Sequence, residues 1–246
     1  MKQGTRRFYD RVAVRTLPSA QGFTVALDGK NILTPAKRVL ALRTEALAHG
    51  IAMEWERQPK MLQPATMPLM KLATTSIDQA PNIRPAMVDS MIRCLESDVA
   101  CFRSSEEPAL MAREEKTFAP LLRYVADTFD LYLSVSESFT LTHSPEALPR
   151  AREVLAEVDD WELTALDAIC SASKSFVLSL ALANGHIDAE ATTAAARVAE
   201  KYQTEEWGEI EAGHDLDAAN LAIDIGSSAA FLRMLRAEEP IAAPAP

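Results

Sequence analysis

Residues 22–58, GFTVALDGKNILTPAKRVLALRTEALAHGIAMEWERQ, decide the fold, because two side-chain periods meet within them. Phe23, Val25 and Leu27 alternate, as in a strand with one face on a core. Asp28-Gly29 follows at once, a pair suited to a tight hairpin whose two central positions need φ > 0. Pro35 is expected to end the return strand. From Leu40 the period changes: Leu40, Leu47, Ala48, Ile51 and Trp55 recur at helical spacing. A hairpin thus gives way to helix inside a single stretch.

Working outward, FYDRVAV (8–14) adds a further strand, so the first forty residues read as β. Downstream the pattern is helical. In QPATMPLMKLATTSID (63–78) Pro68 is tolerated in the first turn of a helix. SPEALPRAREVLAEV (144–158) opens on Ser144-Pro145-Glu146, a cap signal. DWELTALDAICSASKSFVLSLALANG (160–185) ends at Gly185, a suitable C-terminal stop. The exception is LYLSVSESFTLT (131–142), where Leu131, Leu133 and Val135 alternate as in a short strand or an extended connection. A last helix from about Leu216 places Leu221, Ile225, Ser228, Leu232 and Leu235 on one face, with Gly226, Ser227, Ala229 and Ala230 small enough beside it for close packing. The expected class is α+β: a small β-rich N-terminal domain, 1–38, followed by a larger mainly helical C-terminal domain, 39–239. Residues 240–246, PIAAPAP, are read as a disordered tail, and no internal repeat is visible.

A chain of 246 residues with 48% hydrophobic content and 8 Gly can bury a substantial core. Its formal net charge of −10 disfavours nucleic acid as a partner, since phosphates would be repelled, although Arg6, Arg7, Arg11 and Arg15 form a small basic patch. Cys94, Cys101 and Cys170 make neither an even framework nor a metal-ligand pair, and read as free thiols in a reducing compartment. The N-terminus lacks the apolar core of a secretory signal, and FVLSLALA from Phe176 is too short to span a bilayer. A soluble intracellular protein is expected, with no membrane partner.

Chemistry finds little support. Ser171-Ala172-Ser173-Lys174 matches Ser-x-x-Lys, but the Ser-Asp-Asn and Lys-Thr-Gly partners are missing. Gly29-Lys30 is followed by Asn31 with no preceding glycine run, so it cradles no phosphate. His49, His143, His186 and His214 are scattered, without a paired metal spacing. No cofactor, no metal, no catalytic residue and no small-molecule substrate are expected. That leaves KYQTEEWGEIEAGHDLD (201–217), in which Glu205, Glu206, Glu209, Glu211, Asp215 and Asp217 surround Trp207 without a Lys or Arg among them. On one continuous helix, Glu205 would lie near Glu209 and Glu211 near Asp215, the pairs well apart around the axis, with Trp207 and Ile210 forming an apolar edge. Such acids would not converge on a reacting atom, unless a break at Gly208 or Gly213 redirects them. As solvated groups and caps, Gly213 would end one helix and Asp215 or Asp217 would cap the next. As a functional surface, uncompensated like charge beside Trp207-Gly208 suits a partner carrying positive charge.

Several segments, in order, resemble the assembly chaperones of the F1 sector of ATP synthase that bind its α subunit, of mitochondrial and α-proteobacterial type. They are RFYDRVAV, FTVALDGKNILTPAKRVLAL, IAMEWERQ, MPLMKLATTSID, ESDVACFR, SLALANGHIDAE and YQTEEWGEIEAGHD, spread from Arg7 to Asp215. The resemblance implies a β-rich and a helical domain. It implies a protein that is no enzyme: it holds the unassembled α subunit transiently, shields its interface, and supports α/β hexamer assembly. It further implies that acids of the helical domain meet the partner: Glu211, Glu209 and Asp215 first, then Glu205 and Glu206, with Trp207, Gly208 and Ile210 supporting the site. A monomer in a bacterial cytoplasm, or in the mitochondrial matrix if the chain is processed, is expected. Met70, Glu115 and Phe118 stand where the family more usually carries Thr, Gln and Trp. The alternative reading is a metal-assisted hydrolase using 205–217 with His214; a third is a binding module for another partner.

Overall fold

The computed structural model describes residues 5–18, 22–208 and 214–237, and divides into two compact units: Met1–Asn82 with Ala230–Pro246, and Ile83–Ala229. Residue 38, the expected domain boundary, falls inside the first unit; the expected tail lies outside the described residues.

In the first unit, β1 (Val12–Thr16), β2 (Phe23–Leu27) and β3 (Lys30–Asn31) form an antiparallel sheet in that order, with Val14 opposite Val25. The turn between β2 and β3 takes the left-handed conformation at both Asp28 (φ 47°) and Gly29 (φ 82°). Asp28 also accepts the amides of Asp10 and Arg11, which ties the turn to the approach of β1. β3 is shorter than expected, and extended pairing resumes beyond Pro35 as Leu33 opposite Val39 and Phe23 opposite Leu42. Leu40 therefore does not begin the helix. It lies fully buried in this extended run, and α1 (Glu45–Glu56) starts after Thr44, whose hydroxyl accepts the Leu47 amide. The cap at Thr44 outweighs the apolar spacing that pointed further back.

Pro68 opens α2 (Pro68–Asp78) as expected, yet no side chain of its own segment caps it. The carboxylate of Glu54 on α1 does so instead, accepting the amides of Leu69 (2.7 Å) and Met70 (2.8 Å). Arg7 is likewise structural. It donates to the carbonyls of Glu56, Gln58 and Tyr9 with its guanidinium 4.6 Å from the Tyr9 ring centre, while Arg15 donates to Gly29. Half of the N-terminal basic patch thus binds the protein's own backbone.

The second unit is built around α7 (Phe176–Ala183), every residue of which is buried against neighbours that include α4, α6 and α8. Each large apolar side chain there contributes about 1.5–3 kcal/mol by leaving water. The other helices of this unit are α3 (Ala80–Leu95), α4 (Pro108–Phe129), α5 (Ala147–Glu157), α6 (Asp160–Ser173), α8 (Ala189–Ala196), α9 (Val198–Trp207) and α10 (His214–Leu235), the first residues of α3 and the last turns of α10 being assigned to the first unit. Asp159, Ser175 and Asp188 cap α6, α7 and α8 through their side chains. Asp98, wholly buried, accepts the Ala100 amide of the turn that follows it and the Val177 amide at the start of α7. Gly185, at φ 71°, follows α7 as expected. α5 opens at Ala147 rather than on a Ser144 side-chain cap; Ser144 contributes only its carbonyl, which accepts the Ala147 amide. Residues 131–142 form an extended connection whose bridge is Phe102 opposite Ser136. Ile225, Ser228 and Leu232 are buried along α10, but a Cβ at Gly226 would meet nothing within 4 Å, so no close approach requires that glycine. No helix among the described residues is long and apolar enough to cross a membrane.

Candidate partner-binding surface

The acidic run enters from α9, which stops at Trp207 because Gly208 turns to φ 83° and returns its amide to Thr204. A Cβ at Gly208 would touch nothing within 4 Å, so the glycine is needed for its backbone angle and not for space. Of the two possibilities, one continuous helix or a break at Gly208 or Gly213, the break at Gly208 occurs, and the 100° spacing does not extend from Glu205 to Asp217. α10 begins at His214, which puts Asp217 in its first turn, exposed, and not at its cap. There the helix dipole favours a carboxylate. Glu209, Ile210 and Glu211 lie outside the described residues, as do the side chains of Trp207 and Asp215.

Two of the expected acids are described, and they differ. Glu205 pairs with Arg113 of α4 at 2.6 Å; both side chains are about half exposed, so the pair adds less than about 1 kcal/mol. Arg113 also lies 5.2 Å from the ring centre of Tyr202, and the Tyr202 hydroxyl donates to Glu107 at 3.2 Å. This chain ties α9 to the start of α4. Glu206 is exposed and makes no ion pair among the described residues. It is available to a partner in a way that Glu205 is not.

Arg113, Tyr202 and Glu107 were not singled out from sequence, since Tyr202 stands 95 residues along the chain from Glu107. Arg103, nine-tenths buried, was not singled out either. Its Nε donates to Glu115 at 2.8 Å and its Nη1 to the carbonyls of Ala100 and Phe102. Its guanidinium lies 5.6 Å from the Phe118 ring centre, so Glu115 and Phe118 of α4 both contact Arg103.

The hydrolase alternative gains no support. Among the described residues no three His, Cys, Asp or Glu side chains gather as metal ligands. His143 accepts the Ser134 amide at Nδ1 and faces the Leu95 carbonyl at Nε2, so both ring nitrogens have partners, while His186 stacks on Tyr124. Lys174 ends α6 in the left-handed conformation, so the Ser-x-x-Lys match is a helix terminus. The three cysteines are free; Cys101 and Cys170 are buried, and burial pushes the Cys101 thiol up.

Residues 6–126 match the profile of the ATP12 chaperone protein family. The fold extends that likeness to nearly the whole chain. The crystal structure of Atp12 from Paracoccus denitrificans superposes with a TM-score of 0.85 at 29% identity, covering 94% of this chain and 98% of that one. The chain belongs to the ATP12 chaperone family. A putative chaperone from Agrobacterium tumefaciens is 30% identical with a TM-score of 0.86, over 94% of this chain and 86% of its own. The mitochondrial protein atp12 of Schizosaccharomyces pombe is 27% identical over 94% of this chain and 83% of its length. The acidic run lies beyond the residues matched by the family profile but within the second unit of this chain.

Proposed function

We propose that this ATP12-family chaperone serves assembly of the F1 sector of ATP synthase by binding the unassembled α subunit, shielding its interface until β replaces it. The observation that carries this reading is the full-length likeness to Atp12 of Paracoccus denitrificans, at 94% coverage of this chain. An obligate subunit interface is large and apolar, and an unassembled subunit exposes it. A shield that must later leave combines limited apolar contact with charge, and the net charge of −10 suits the second requirement. The protein acts without chemical turnover, cofactor or nucleotide, as a monomer, in a bacterial cytoplasm or a mitochondrial matrix. Glu211, Glu209 and Asp215 are the first acids we assign to the partner surface, joined by exposed Glu206; Glu205 contributes through its hold on Arg113.

The test is co-expression of the tagged chain with its own α and β subunits, followed by pull-down. Recovery of α without β, and suppression of α aggregation in the absence of nucleotide and metal, are expected. Equal aggregation of α with and without excess chaperone would remove the proposal.

A further inference from the structure

Within the second unit, a groove of about 560 Å³ is bordered by the 102–107 loop, Leu110 and Glu114 of α4, the turn at 137–139, and Tyr202 and Gln203 of α9. Four carboxylates line it, from Glu106, Glu107, Glu114 and Glu137, against one cation, Arg103. Glu114 is committed to the Ser104 amide, and Arg103 is already neutralised by Glu115. Glu106 and Glu137 are exposed and have no cation beside them among the described residues. The groove is therefore acidic at its mouth.

Its apolar side is equally unpartnered. Phe139 is wholly exposed, with 104% relative accessibility, while Leu110, which also lines the groove, is buried. The ring is held out by local bonding: Ser136 Oγ donates to the Thr140 carbonyl at 2.7 Å and accepts the Ser138 amide. The turn is pinned to the loop opposite by backbone bonds from Arg103 to Ser136 and from Ser136 to Cys101, each 2.9 Å.

We infer that this groove binds an extended segment of the chaperone's client in which a Lys or Arg adjoins an apolar side chain. The cation meets Glu106 and Glu137, and the apolar side chain covers Phe139. Charge decides against an anionic ligand, which the four carboxylates would repel. The inference rests on the chaperone reading only for the identity of the client.

The experiment titrates the full chain with two fluorescein-labelled peptides, Gly-Leu-Arg-Leu-Arg-Leu-Gly and its Arg-to-Glu counterpart, by anisotropy at low and high salt. The wild type should prefer the basic peptide by about tenfold at low salt, with the preference shrinking as salt rises. The double variant Glu106→Lys/Glu137→Lys and, separately, Phe139→Ser should each weaken it by about fivefold or more. Glu96→Lys, an exposed reversal elsewhere on the unit, should not. All of these positions are on the surface, and unchanged thermal melts confirm folding. Equal affinity for the two peptides, or affinity untouched by both groove variants, overturns the inference. Pull-down of the α subunit separates the two readings. If both groove variants capture α as well as wild type does, the groove is excluded and the chaperone role stands. If wild type captures no α yet still binds the basic peptide through Glu106, Glu137 and Phe139, the groove stands and the client is a different protein.

Discussion

Replacing Glu54 tests how the first unit is held together. Its carboxylate, on α1, accepts the first two available amides of α2 at 2.7 and 2.8 Å, and α2 has no side-chain cap of its own. Glu54→Ala leaves both amides without that acceptor in a partly buried site. Loss of a helix cap costs about 0.5–2 kcal/mol, which lowers Tm by roughly 2–4 °C per kcal/mol in a chain of this size. Glu54→Gln keeps one acceptor and should recover part of the loss. The pH dependence is more discriminating. Burial pushes the carboxyl up to about 7 from 4.5, against the two amide hydrogen bonds that favour the anion. The folded state then binds more protons than the unfolded state between those values. The stability contributed by Glu54 is full below about 4.5 and is lost as pH rises through about 7. Urea unfolding at pH 5, 6, 7 and 8 should show wild type losing stability relative to Glu54→Gln across this window. A constant difference between the two proteins would refute the burial argument and show that the amides hold the carboxylate ionised. A Glu54→Ala protein as stable as wild type would refute the cap.

Gly22→Ala should be severely destabilising, because Gly22 sits at φ 94° and the added Cβ would stand 2.2 Å from the Leu42 carbonyl oxygen, where the sheet pairs with the extended run; a chemical melt or loss of soluble expression reads it. Phe176→Ala at the start of α7 removes a fully buried ring and should cost about 3–5 kcal/mol in urea unfolding. Glu211→Lys and Glu209→Lys should weaken capture of the α subunit while leaving Tm within about 1–2 °C; unaltered capture by both singles and the double variant would remove these acids from the proposed partner contacts. Arg113→Ala frees Glu205 and should cost less than about 1 kcal/mol, a difference visible only in a direct comparison of melts.

Elements whose signals are local were legible from the chain alone. The alternation of Phe23, Val25 and Leu27 into Asp28-Gly29 is a contest between neighbouring residues, and the hairpin formed where that contest predicted. The same is true of Pro68 at the start of α2, of Gly185 after α7, and of the apolar run 176–183 that became the buried centre of the second unit. The ordered segments between Arg7 and Asp215 also carried the family, because each is a run of residues that is read without knowing what it packs against. Tertiary structure decided the rest. Leu40 has helical spacing but is held in extended backbone by pairing between Phe23 and Leu42, a contact the period cannot register. The cap of α2 comes from another helix. For the acidic run the sequence left open one helix or a break at Gly208 or Gly213, and the positive φ at Gly208 ends α9 after Trp207. Above all, the groove joins residues near 103, 110, 137 and 202, and convergence of that kind depends on how helices pack. Spacing along a chain predicts which side chains share a face of one element; only packing determines which faces meet.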